Sequence, residues 1–142
     1  MATAVQLLAE KPKAIYSIEP EDPVLEAIEL MAEHGIGALL VMKGQELVGI
    51  VSERDYARKV ILLGRSSSET PVWQIMSAPV LTVAPDDTSA HCMQLMTENR
   101  VRHLPVVEQG RVIGVLSIGD LVRAVLLEQQ RTIEELEQYI RG

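Results

Sequence analysis

Phenylalanine is absent from this chain, and the other large aromatics are few: Trp73, Tyr16, Tyr56 and Tyr139. Any core must therefore be aliphatic, built from Val, Ile, Leu, Met and Ala. A single cysteine, Cys92, excludes an intramolecular disulfide and points to a reducing compartment, which we read as the cytoplasm. No apolar run approaches the roughly 18 residues of a membrane span. The opening Met1-Ala2-Thr3-Ala4-Val5-Gln6 also lacks the basic start of a signal peptide, so no membrane partner is expected. Positive charge is short as well: 13 basic residues face 20 acidic ones, for a net charge of −7. Residues 1–71 carry seven basic and eleven acidic side chains and the remainder six and nine, so neither end is a charged tail. Without a basic stripe or stacking aromatics, nucleic acid is not an expected partner.

What is present is a single-domain length of 142 residues, enough to bury a core without disulfide or metal. Within it the chain repeats itself. An offset of 65 positions aligns Pro20 with Pro85, Asp22 with Asp87, Met31 with Met96 and Leu39 with Leu104. The same offset aligns Val41 with Val106, Gly49 with Gly114, Ser52 with Ser117, Asp55 with Asp120 and Arg58 with Arg123, without a gap. Each copy reads β-α-β-β-α. A short β-leaning segment (15–18, 80–83) runs into a Pro and an acidic turn that opens a helix. The helix carries apolar residues at helical spacing. A wholly apolar run, a turn and a second strand form a hairpin, and a closing helix follows (53–63, 118–127). Cys92 falls on the apolar face of its helix and reads as a small core residue.

The domain boundaries follow. The first copy spans 8–63, a polar linker rich in Ser and read as exposed and mobile spans 64–71, and the second copy spans 72–128. An amphipathic C-terminal helix over 129–142 bears Ile133, Leu136 and Ile140 at i, i+3, i+7. That stripe covers either its own domain or a second subunit. Sixty residues of one copy bury too little alone, so the copies are expected to pack sheet against sheet.

Two features bear on chemistry. The first is Gly49-Ile50-Val51-Ser52-Glu53-Arg54-Asp55, matched by Gly114-Val115-Leu116-Ser117-Ile118-Gly119-Asp120. A Ser followed three residues later by an acid fits a helix capping box, although that cap prefers Glu or Gln to the shorter Asp. The second is Arg100-Val101-Arg102-His103, either a solvated strand entry or an anion pocket with forked Arg donors. Catalysis finds no support. No Gly-x-x-x-x-Gly-Lys-Ser/Thr loop is present, His34, His91 and His103 lack acids or thiols at ligand spacing, and no Ser, His and Asp set suggests a triad. The chain is not expected to be an enzyme or to carry a cofactor.

The duplicated unit, the segment Arg102-His103-Leu104-Pro105-Val106-Val107 and the twice-repeated Gly-h-h-Ser-x-x-Asp (h apolar) together resemble a pair of CBS domains, a Bateman module, over about residues 10–128. The tail and linker are similar to those of stand-alone CBS-pair proteins. The resemblance implies an α+β fold of two repeats packed as one pseudo-twofold module, with an adenosine ligand (AMP, ADP, ATP, NAD or S-adenosylmethionine) in clefts between the repeats. It implies that Asp55 and Asp120 accept the ribose hydroxyls and that Ser52 and Ser117 lie near ribose and phosphate. Adenine would lie against Ser17–Ile18 and Ile36–Ala38 in one copy, and against Thr82–Val83 and Val101–His103 in the other. Arg54, Arg102 and His103 would meet phosphate. It further implies a homodimer and a regulated partner protein.

The copies differ where the first reads Gly37-Ala38-Leu39-Leu40 and the second Arg102-His103-Leu104-Pro105. From this, the phosphate charge is expected mainly at Asp55, with a less basic site at Asp120.

Overall fold

The computed structural model describes residues 2–12 and 14–141; Lys13 and Gly142, inside the domain and tail ranges expected from sequence, and Met1 lie outside the described residues. Two compact units result. One is Tyr16–Val80, and the other joins Met1–Ile15 to Leu81–Gly142.

In the first unit, β1 (Ser17–Ile18) pairs parallel with β2 (Ala38–Lys43), which pairs antiparallel with β3 (Glu46–Ser52). Helix α2 (Val24–His34) connects β1 to β2 and buries Val24, Ala27 and Met31, its i, i+3, i+7 face. Gly35 ends the helix at φ 62°, a left-handed stop that costs glycine nothing. After β3 comes one α-helical turn, α3 (Glu53–Tyr56), and then a wider π turn over Ala57–Ile61, where a regular helix to residue 63 was expected.

In the second unit, β4 (His103–Glu108) and β5 (Arg111–Ser117) form a hairpin that repeats the register of β2 and β3. Both hairpins shift register at equivalent places, between Val41 and Met42 and between Val106 and Val107. The first strand of this copy shrinks to a single parallel bridge from Val83 to Val106. Helix α4 (Ser89–Asn99) buries Cys92 where α2 buries Ala27, so the thiol fills a small core position as expected. Helix α5 runs unbroken over Ile118–Arg141, so the expected closing helix and tail helix are one element. No helix among the described residues is long and apolar enough to cross a membrane.

Each unit is completed by the segment that precedes the other repeat in the chain. Helix α1 (Ala4–Leu8), not foreseen from sequence, puts Ala4 and Leu7 into the core of the second repeat beside Leu104, Leu116 and Leu121. By the same offset Leu7 corresponds to Val72, which is fully buried in the first repeat's core with Ile75. The polar segment 64–71, expected to be mobile, is tied down. The carbonyls of Thr70 and Ser67 accept the N–H groups of Val24 and Leu25 at 2.8 and 2.9 Å, and Thr70 is buried. The reason is local. Pro23 occupies the N-cap of α2 and offers no side-chain acceptor, so the linker supplies the missing carbonyls. At the equivalent position in α4, Thr88 caps with its own hydroxyl.

Candidate functional site

The Gly-h-h-Ser-x-x-Asp motif lies at the same place in both units: the Ser ends the hairpin's second strand and the Asp lies in the first turn of the next helix. The capping reading holds in detail. In the first unit the Ser52 N–H donates to Asp55 Oδ2 at 2.9 Å and the Asp55 N–H donates to Ser52 Oγ at 3.2 Å. In the second, the Ser117 N–H donates to Asp120 Oδ2 at 2.8 Å and the Asp120 N–H to Ser117 Oγ at 3.2 Å. Aspartate therefore reaches back despite its short side chain. The cap uses Oδ2 in both copies and turns Oδ1 away from it, as a free acceptor flanked by cations. Lys59 Nζ lies 3.4 Å from Asp55 Oδ1, and Arg123 lies 3.8 Å from Asp120 Oδ1.

The strand entries lie alongside. Ala38 pairs with Ser52 and His103 with Ser117, while Gly37 and Arg102 accept the N–H groups of Glu53 and Ile118 at 3.0 and 2.9 Å. Ile36, Ala38, Ser52 and Asp55 are thus gathered in one unit, and Val101, His103, Ser117 and Asp120 in the other. Ser17 is exposed on β1 and Thr82 is exposed just before the Val83 bridge, with Ile18 and Val83 buried beside them. Arg54 and Arg102 are both exposed, and neither is drawn to the carboxylate of its own unit.

Sequence reasoning missed Lys11. Its ammonium donates to Asp120 Oδ2 and to the Val115 carbonyl, each at 2.7 Å. The neighbourhood of Asp120 therefore holds two cations, Lys11 and Arg123, where the sequence reading, which expects a less basic site at Asp120, counts neither. The repeat offered no signal, because the 65-residue offset matches Lys11 to Met76.

The electrostatics follow. Burial alone would push the Asp120 carboxyl up. Hydrogen bonds from Lys11 and the Ser117 N–H, with the ammonium's charge, outweigh it and hold the group below the ordinary carboxylate range. His103 is pushed below its ordinary value by burial first and by the Lys11 charge second, with Asp120 opposing. It is accordingly neutral at pH 7 and offers an uncharged N–H as a donor.

The chain has known relatives. The family model described as "CBS domain" matches residues 12–62 and 72–127. The chain belongs to the CBS-domain family. The mitochondrial CBS domain-containing protein CBSX3 of Arabidopsis thaliana is 46% identical over 127 residues, which cover 86% of this CBS pair and 62% of that protein. The pair thus spans less than two-thirds of that relative's length. Among solved structures, a protein with CBS domains from Burkholderia ambifaria is 53% identical with a TM-score of 0.87, covering 90% of this chain and 96% of that one. The CBS domain pair of protein MJ0100, 22% identical with a TM-score of 0.79 and covering 89% and 98%, shares the fold. It was solved in complex with 5′-methylthioadenosine and S-adenosyl-L-methionine. The α+β fold of two CBS repeats read from the sequence is therefore met.

Proposed function

We propose that this CBS pair is a regulatory module that binds an adenine nucleotide such as AMP, ADP, ATP or NAD and signals its presence to a partner protein. The observation that carries the reading is the Ser–Asp pair, whose two reciprocal cap hydrogen bonds recur in both repeats. Its free carboxylate oxygen lies at a helix N-terminus, where a ribose diol finds an acceptor and a phosphate a favourable field. The MJ0100 pair, with its adenosyl ligands, supports the ligand class. Asp55 and Asp120 receive the ribose hydroxyls in this reading. The chain's role is regulatory rather than catalytic, and its lone buried thiol suits a reducing compartment such as the cytoplasm.

A thermal-shift series tests it. A ligand present at 100 times its dissociation constant adds about 2.7 kcal/mol to the folded state. That corresponds to roughly 5–10 °C in a chain of this size. AMP, ADP, ATP or NAD should give that shift and GMP should not. A second reading, a ligand-free dimerisation module, draws on α5, where Ile133, Leu136 and Ile140 are all exposed. It is favoured if no nucleotide shifts the melt while truncation after Glu128 converts a dimer to monomer by light scattering.

A further inference from the structure

The two ribose carboxylates differ in what already occupies them. Asp55 Oδ2 accepts the Ser52 N–H and also the Ser52 hydroxyl, at 3.0 Å. A hydroxyl is a neutral rotor, so it can turn away from an arriving ligand at the cost of one hydrogen bond and without stranding a buried cation. Asp120 Oδ2 accepts the Ser117 N–H and the Lys11 ammonium instead. That ammonium is fixed from a second side by the Val115 carbonyl. It is delivered there by α1, whose Leu8 packs so closely over Gly114 that a Cβ at that glycine would fall 2.6 Å from the leucine methyl. The pair is largely shielded from water: Asp120 is 12% exposed and Lys11 30%.

An ammonium has three donors, and two are committed here. A ribose diol that needs both carboxylate oxygens must compete with Lys11 for one of them. An uncharged nucleoside offers the displaced cation nothing in exchange. A nucleotide offers a phosphate, which the third N–H can take or to which the whole ammonium can turn.

We propose that Lys11 is a specificity-determining residue of the Asp120 site, selecting phosphate-bearing over uncharged adenosine ligands. The inference rests on the nucleotide reading above and adds to it a residue from outside the repeat motif. The size follows from a charge-assisted hydrogen bond, which corresponds to a factor of about 10 to 150 in affinity.

The test is calorimetric titration of AMP and adenosine into the Asp55→Ala chain, which leaves Asp120 to report, with and without Lys11→Met. With Lys11 present, AMP should bind about tenfold or more tightly than adenosine. Lys11→Met should tighten adenosine, weaken AMP and bring the ratio near one, while Lys11→Arg keeps the preference. Melting curves confirm folding, and Lys11→Gln replaces Lys11→Met if that variant does not fold. A ratio unchanged by Lys11→Met overturns the inference and leaves the nucleotide reading standing. So does loss of all binding in Asp55→Ala when the parent chain binds. Failure of the parent chain to bind either ligand overturns both.

Discussion

Replacing Leu7 with alanine removes three heavy atoms from a side chain that is 7% exposed and packs among Leu104, Leu116 and Leu121, about a hundred residues away in sequence. Buried Leu→Ala changes cost about 2–5 kcal/mol, depending on how far the site collapses around the void. Helix α1 has only five residues and can shift towards the gap, which places Leu7→Ala at the lower end. We therefore expect about 2–3 kcal/mol, or roughly 5–10 °C in melting temperature. Urea denaturation followed by circular dichroism gives the magnitude, and hydrogen exchange read by mass spectrometry gives the location. Protection should fall first in peptides from 81–128, the repeat distant in sequence, and least in peptides from 24–63. Val72→Ala should show the opposite pattern. A loss below about 0.5 kcal/mol, or faster exchange confined to 24–63, would refute the idea that the opening segment completes the second repeat's core.

Three further outcomes are expected. Arg100 holds φ 54° at the helix stop where the first repeat has Gly35, so Arg100→Gly should stabilise by about 1 kcal/mol; an unchanged or lower melting temperature counts against backbone strain there. The His103 pKa is lower in the folded chain than its ordinary 6.5, so the unfolded chain binds the extra proton just below that value. Stability contributed there should be full above pH 6.5 and fall as the pH drops towards the folded value, and His103→Gln should flatten melting temperature against pH between 7.5 and 5.5. Burial, with a smaller contribution from the Asp87 charge, pushes the Cys92 thiol up, so iodoacetamide should leave it unmodified in the native chain and alkylate it in urea; rapid native labelling would contradict the packing.

The parts of this architecture that could be read from sequence are those duplicated within it. Apolar identities at the 65-residue offset mark the two cores: Met31 and Met96, Leu39 and Leu104, Val41 and Val106 are all buried. The Ser–Asp motif marked both carboxylates for the same reason, since its geometry is local and recurs. Three features stayed hidden because their causes are not periodic. Helix α1 is too short for a hydrophobic period, and only Thr3 and Gln6, a capping pair whose Thr3 N–H reaches the Gln6 side chain at 3.0 Å, hinted at it. The linker reads as solvated, yet its carbonyls answer a need created by Pro23, more than forty residues earlier. Lys11 acts on Asp120 through a fold-level contact that no local spacing announces.

The exchange of covering segments has a consequence for how the molecule comes into being. As the chain leaves the ribosome, the residues that finish the second repeat are made before it and must wait, with Ala4 and Leu7 uncovered, until β5 and α5 exist. Contacts as remote as Leu8 to Gly114 raise the mean sequence separation of contacts, which slows folding relative to hairpins closed locally. The first repeat also waits, though only for Val72 and Ile75, and is complete soon afterwards. Severing the gene between the repeats would leave each half holding the other's lid: a fragment ending at residue 71 keeps α1 but loses Val72 and Ile75. Expressed together, the halves have reason to recombine in trans. An intact chain that lent its opening segment to a neighbour would form a domain-swapped pair from contacts the monomer already contains.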